Sequence, residues 1–294
     1  MIQHFDASSM ENLLPFDLLV GELERAVAEY TAGKITSPER LVTPLSAGGV
    51  RLSMPASAQD TAIHKLVNVC PSNFSRNLPT INGEVVAHNA VTGVPLFALD
   101  GPTVTGRRTA AVTLLANNRL RKAPPKTIAI IGTGKQASTH ALSSYYPDLD
   151  LVVAGISQQE EEQFCLKHPS CAMRPFIDRN WSQIDVVVTL TTSKHLFTRK
   201  EAAVPDRLIV GVGAFAPDAP EVGRETVLAS IVIVDDPAGA LHEAGDLILA
   251  GVDWSGVASL GELLKGQRTL QCRCFLRALA SQPGILPHVA WRAR

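Results

Sequence analysis

The segment Ile128-Ala129-Ile130-Ile131-Gly132-Thr133-Gly134-Lys135-Gln136-Ala137 constrains what this chain can fold into more than any other. It is a GxGxxA pattern placed directly after a wholly apolar run and at the opening of a helical stretch. Gly132 permits a tight turn, Gly134 lets a pyrophosphate approach the backbone, and the small Ala137 lets helix and strand pack closely. A second apolar run, Leu151 to Ala154, follows the helical stretch as a βαβ unit requires. A Walker-type phosphate loop would need Gly at 129 and Ser or Thr at 136, where the chain has Ala129 and Gln136. A strand-to-helix turn that holds no ligand is the plain alternative.

The rest of the carboxyl-terminal half repeats this grammar. Short β-branched runs at Thr127 to Ile131, Leu151 to Ala154, Asp185 to Leu190, Leu208 to Val212 and Ile231 to Val234 alternate with helical stretches. Runs without polar alternation are what strands buried on both faces look like, so a parallel sheet covered by helices is expected. Before Pro124-Pro125 the pattern differs. Pro15 to Tyr30 reads as an amphipathic helix, and Val50 to Met54, Ile63 to Val69, Glu84 to Asn89 and Val94 to Leu99 read as an antiparallel sheet with turns at Asn82-Gly83 and Thr92-Gly93. Thr109 to Leu120 reads as a further helix.

The end of the second strand bears on the choice between nicotinamide cofactors. An acid there accepts hydrogen bonds from the ribose 2′-hydroxyl and repels a 2′-phosphate. Here the position is Gly155, followed by Ile156, Ser157 and Gln158, with no acid before Glu160. Ser157, Gln158 and Lys135 could donate to a 2′-phosphate, so NADPH is expected over NADH. Thr189 and Leu190 at the end of the Asp185 to Leu190 run, and Val212 and Gly213 at the end of the Leu208 to Val212 run, are further candidates for lining the cofactor, with ordinary strand-end packing as the alternative.

The length of 294 residues suggests one large or two ordinary domains, at roughly 100 to 200 residues per domain. A charge of 27 − 28 = −1, with no cluster of Lys and Arg, argues against nucleic acid or an anionic membrane as the partner and for a small molecule. No stretch approaches the roughly 18 apolar residues of a membrane span, and the start MIQHFDASSM lacks a leader pattern. Five cysteines without a CxxC pair read as reduced thiols, hence a cytoplasmic protein. His242-Glu243-Ala244-Gly245-Asp246 begins like a zinc helix but has Asp246 where the second His belongs, so no metal is expected.

In the amino-terminal half, cations stand beside turns and apolar residues: Arg40 before Leu41, Lys65 within Ile63 to Val69, and Arg107-Arg108 ahead of Thr109-Ala110-Ala111. A Lys flanked by Ile63, Leu66 and Val67 must reach water or meet an anion. Ordinary surface cations are the bland reading, and it suits Arg107 best. Convergent cations on one domain, facing a nicotinamide on the other, would suit a carboxylate substrate.

Taken together the chain resembles the ornithine cyclodeaminase and mu-crystallin family. The resemblance runs in order through Met54-Pro55, Lys65-Leu66-Val67-Asn68, Thr92-Gly93-Val94-Pro95-Leu96, Leu99-Asp100-Gly101 and Arg108-Thr109-Ala110-Ala111. It continues through the glycine turn, Gly211-Val212-Gly213-Ala214, Glu243-Ala244-Gly245-Asp246 and Leu260-Gly261-Glu262-Leu263. The resemblance implies an α/β chain, with a Rossmann dinucleotide-binding domain over 121–267 and an α+β substrate and dimerisation domain over 1–120, joined by 268–294. It implies a homodimer, and a carboxylate of an amino or imino acid gripped by Arg40, Lys65 and Arg108 near the nicotinamide. Lys65 is then the candidate catalytic residue. The implied cofactor set is Arg108, Thr109, Gly132, Gly134, Lys135, Gln136, Ala137, Gly155, Ser157, Thr189, Leu190, Val212 and Gly213.

Two departures from the family narrow the activity. Cyclodeaminases carry an Asp where this chain has Phe215, which can neither accept nor donate a proton, so reduction of a ready-made cyclic imine is favoured over cyclodeamination. The tail has Phe275-Leu276-Arg277-Ala278 in place of a Phe-Lys-Ser-type segment and its glycine. The expected activity is reduction of Δ1-pyrroline-2-carboxylate to L-proline and of Δ1-piperideine-2-carboxylate to L-pipecolate. Ornithine cyclodeamination, and ligand binding without turnover as in mu-crystallin, stay open as alternatives. Gly155→Asp is expected to shift the NADPH-to-NADH ratio of kcat/KM towards NADH; an unchanged ratio would place recognition of the 2′-phosphate elsewhere.

Overall fold

The computed structural model describes residues 2–142, 146, 148–191, 197–198, 204, 206–213, 217–266 and 274–278. The chain divides into two compact units within Met1–Arg108 and Thr109–Ala280.

The first unit is built on a six-stranded sheet of order β1-β6-β5-β4-β3-β2, comprising β1 (Gln3–Phe5), β2 (Leu41–Pro44), β3 (Val50–Ser57), β4 (Thr61–Val69), β5 (Ile81–Asn89) and β6 (Pro95–Asp100). Neighbours are antiparallel except for β1, which lies parallel to β6. Along β4 the side chains of Thr61, Ile63, Lys65 and Val67 are buried while those between are more open. That alternation marks a sheet with one face turned to a core. Helix α1 (Ala7–Leu13) is capped by the Asp6 carboxylate, which accepts from the Ser9 backbone N–H at 2.9 Å. Helix α2 (Phe16–Thr31) buries Leu19, Leu23, Ala26 and Val27 of the apolar stripe its sequence predicts, together with Phe16 and Glu22, while Leu18, expected on that stripe, is exposed.

Helix α3 (Gly101–Leu120) starts eight residues earlier than its sequence suggests, because Asp100 caps it by accepting from the Thr103 N–H at 2.8 Å. The division between the units falls inside this helix, after Arg108, and not at the prolines that follow it.

The second unit holds an eight-stranded sheet of order β13-β12-β14-β11-β10-β7-β8-β9 in which all neighbours run parallel. Its strands are β7 (Thr127–Ile131), β8 (Asp150–Ala154), β9 (Met173–Pro175), β10 (Val186–Thr189), β11 (Leu208–Gly211), β12 (Ile231–Val234), β13 (Ala258–Ser259) and β14 (Cys274–Arg277). Val152, Val187, Ile209 and Phe275 are shielded completely, as expected of strands covered on both faces. Each such side chain contributes roughly 1.5–3 kcal/mol by leaving water.

β14 departs from the sequence expectation. Residues Cys274–Arg277, within the 268–294 stretch expected alongside the first domain, supply a strand between β11 and β12. Only its four residues and Ala278 are described within 268–294. The run Cys274-Phe275-Leu276 is short and bracketed by arginines, so its β character shows only once neighbours on both sides offer hydrogen bonds.

Helix α4 (Lys135–Leu142) follows the glycine turn, and its His140 is buried. The His140 ring stands 2.9 Å from the Gln136 carbonyl through Nδ1 and 3.1 Å from Thr113 Oγ1 through Nε2, tying α4 to α3. Burial pushes its pKa down to about 4, against a smaller opposing effect of the Gln136 carbonyl. The folded chain therefore holds His140 neutral, and its contribution is complete above the unfolded value near 6.5. It is lost as pH falls from there towards 4, by up to about 3 kcal/mol. Urea midpoints measured between pH 7.5 and 4.5 should fall less steeply for His140→Gln than for the parent; equal slopes would assign the acid sensitivity to other groups.

Candidate functional site

The glycine turn is shaped as a dinucleotide cradle requires. Gly132 sits at φ +121°, a conformation open to glycine, and a Cβ there would come within 2.7 Å of the Leu190 carbonyl oxygen. The β7 end therefore passes hard against the β10 end. Gly134 is the opposite case: a Cβ built on it meets no protein atom within 4 Å. That open space lies at the start of α4, where unpaired backbone N–H groups and the helix dipole favour an anion. Ala137 is fully buried under the turn, as close helix-to-strand packing demands, while Lys135 is exposed and Gln136 half-buried. These residues fit a pyrophosphate.

At the β8 end, Gly155 donates its N–H to Glu161 Oε1 at 2.8 Å. Ser157 caps α5 (Gln158–Lys167) by accepting from the Glu160 N–H at 3.3 Å. Glu161 is buried and ion-paired with Arg179, whose guanidinium also lies over the Phe176 ring at 5.6 Å. No acid occupies the strand end in sequence, yet α5 folds two of them back towards it.

Beyond β10 and β11, the buried carboxylate of Glu221 gathers three donors. The Thr189 hydroxyl reaches Oε2 at 3.0 Å, the Thr191 N–H reaches Oε1 at 2.7 Å, and the Gly213 N–H reaches Oε2 at 2.5 Å. Glu221 is held in turn by Asp246, whose Oδ1 accepts from the Glu221 and Val222 N–H groups. Thr189, Leu190, Val212 and Gly213 thus stand at strand ends locked by one carboxylate. Sequence reasoning missed Glu221. Its flanks, Pro220 and Val222, give no periodic signal, and Asp246 stands in sequence only within the Glu243-Ala244-Gly245-Asp246 segment, with nothing to pair it with Glu221. Among the described residues no group of three or more His, Cys, Asp or Glu could hold a metal ion.

In the first unit, Lys65 is 2% exposed and Arg108 is 1% exposed. Lys65 lies mid-strand in β4, flanked across the sheet by Met54 of β3 and Val85 of β5. Arg40 is half-buried just before β2, and Thr109, adjoining Arg108 on α3, is buried. Two long cations are therefore kept from water, which is costly without anionic compensation. Arg107 is structural. Its Nε donates to the Leu14 carbonyl at 2.9 Å and its guanidinium covers the Phe16 ring at 4.2 Å. Phe215 lies outside the described residues.

A parallel sheet with a glycine turn after its first strand and a fitting anion cradle defines a dinucleotide-binding α/β protein. The chain belongs to the ornithine cyclodeaminase/mu-crystallin family, whose model matches residues 3–273. It is 57% identical over 267 residues to a Δ1-pyrroline-2-carboxylate/Δ1-piperideine-2-carboxylate reductase of Azospirillum brasilense, covering 89% of this chain and 86% of that one. It is 54% identical over 270 residues to a Δ1-pyrroline-2-carboxylate reductase of Burkholderia ambifaria, covering 90% and 86%. Among solved structures, the fold matches the Thermococcus litoralis Δ1-pyrroline-2-carboxylate reductase in complex with NADH and L-proline. The TM-score there is 0.89 at 23% identity, over 99% of this chain and 96% of that one.

Gly134→Ala separates a cofactor cradle from an empty turn. The added methyl meets no protein atom within 4 Å, so the melting temperature should hold, while the dissociation constant for NADPH should rise tenfold or more. Unchanged affinity would show that the pyrophosphate lies elsewhere.

Proposed function

We propose that this chain is a nicotinamide-dependent reductase of cyclic imino acids, converting Δ1-pyrroline-2-carboxylate to L-proline and Δ1-piperideine-2-carboxylate to L-pipecolate. The observation that carries the reading is the 57% identity, over 89% of the chain, to a reductase named for both substrates. The buried cations and the glycine cradle supply the chemistry such a reaction needs.

In this reading the second unit holds the dinucleotide. Gly132, Gly134, Lys135, Gln136 and Ala137 seat the pyrophosphate, Gly155 and Ser157 border the adenosine ribose, and Thr189, Leu190, Val212 and Gly213 line the nicotinamide half, with Arg108 and Thr109 completing the set. The nicotinamide supplies the hydride for the imine carbon. Arg40, Lys65 and Arg108 grip the carboxylate, fixing the ring so that orientation is settled before reaction. Lys65 is the candidate catalytic residue in this reading. A protonated imine brings its own proton, so the chain's task is to bind, orient and exclude water. Burial of Lys65 and Arg108 strengthens their hold on an anion, because the surroundings screen charge poorly.

NADPH is the proposed preferred cofactor, since the β8 end carries no acid and Ser157, Gln158 and Lys135 offer donors. A homodimer is proposed as the working form. Every residue of the edge strand β2 is exposed, and Leu41, Val42, Phe74, Leu78 and Ile81 present apolar surface suited to a second copy.

The test is loss of absorbance at 340 nm with NADPH or NADH and each imine, with ornithine plus NAD as control. Lys65→Met, close in volume but uncharged, should lower kcat/KM at least about 100-fold with an unchanged melting temperature. Arg107→Ala should lower the melting temperature, through loss of the Leu14 and Phe16 contacts, and spare turnover per folded molecule. Ammonia released from ornithine would turn the reading to a cyclodeaminase. NADPH bound but not consumed would turn it to a binding protein.

A further inference from the structure

We infer that Glu160 is a specificity-determining residue for the cofactor: carried back by the first turn of α5, its carboxylate reads the ribose edge in place of the acid that β8 lacks. The inference rests on the dinucleotide reading of the glycine turn. In sequence Glu160 is out of place, 160 − 132 = 28 residues past the first glycine and five past Gly155. The Ser157 cap changes that. By starting α5 at Gln158 it sets residue 160 on the turn that faces back along the chain. Glu160 Oε2 then lies 3.5 Å from Thr133 Oγ1, inside the glycine turn. A Cβ on Gly155 would also stand 3.5 Å from the same oxygen. The carboxylate thus stands beside both backbone segments that flank the adenosine ribose in this class of fold.

The neighbouring charges leave this role to Glu160. Glu161 is buried, and its Oε1 is occupied by the Gly155 N–H and the Arg179 guanidinium. Glu161 and Arg179 therefore compensate each other, and the half-buried Glu160 adds one net negative charge at this end of the sheet. A ribose 2′-hydroxyl can donate to a carboxylate, whereas a 2′-phosphate carries nearly two negative charges and is repelled by it. Glu160 strengthens NADH and weakens NADPH, holding in check the preference that the acid-free strand end sets and keeping both cofactors usable.

Gly155→Asp probes this poorly, since it would add a third carboxylate beside Glu160 and Glu161. The direct test is Glu160→Gln in the full chain, with Glu225→Gln as a control of equal charge change on the exposed face of Arg224–Leu228. Dissociation constants of NADH and NADPH are measured by fluorescence titration. Glu160→Gln should weaken NADH and tighten NADPH, each severalfold, moving the ratio about tenfold towards NADPH. Glu160→Asp, which withdraws the charge by one methylene, should give an intermediate ratio, and Glu225→Gln the parental one. A Glu160→Gln ratio within twofold of the parent would overturn the inference, as would an equal shift from Glu225→Gln. If the parent binds neither cofactor, the dinucleotide reading itself falls and takes the inference with it.

Discussion

Gly132 passes so close beneath the Leu190 carbonyl that no side chain fits between them, and much of the carboxyl-terminal unit follows from that approach. It brings the β7 and β10 ends together at the carboxyl edge of the parallel sheet, and it aims the chain into α4 over a patch of open space at Gly134. Glu221 extends the same edge. One buried carboxylate collects the Thr189 hydroxyl and the Thr191 and Gly213 N–H groups, and so ties β10 to β11. A buried carboxylate is costly unless its oxygens are satisfied, so these bonds both stabilise Glu221 and set where the strand ends stand.

The first unit works by a different physical device. Its sheet puts Lys65 on the buried face among Met54 and Val85, and α3 buries Arg108. Cations kept from water are held there at a cost that the surrounding structure must offset. Arg107, one residue away from Arg108, is tied into the scaffold of the first unit. On the next helical position its guanidinium meets the Leu14 carbonyl and the Phe16 ring, and it becomes part of the scaffold.

Much of the fold was legible before any coordinates. The β7 and β12 limits match their apolar runs residue for residue, and α2 differs by one residue at each end, because unbroken apolar runs and a 3.6-residue period report burial directly. β14, β9 and β13 escaped notice. Each is short, and a strand of two to four residues has too little sequence to show a period. The start of α3 escaped too, since Gly101 and Pro102 are weak helix formers by residue type and the Asp100 cap that admits them forms only in the fold.

The sequence by itself determined which residues can do chemistry: a glycine turn that can admit a pyrophosphate, cations seated among apolar neighbours, and a strand end without an acid. These are local properties, written in residue type and spacing. Tertiary structure alone decided which of them stand together. Glu160 returns to the β8 end because a helix cap turns the chain, and Glu221 reaches three donors that lie eight to 32 residues away along the chain. Such contacts depend on distances through space between elements far apart in sequence, and no local pattern encodes them.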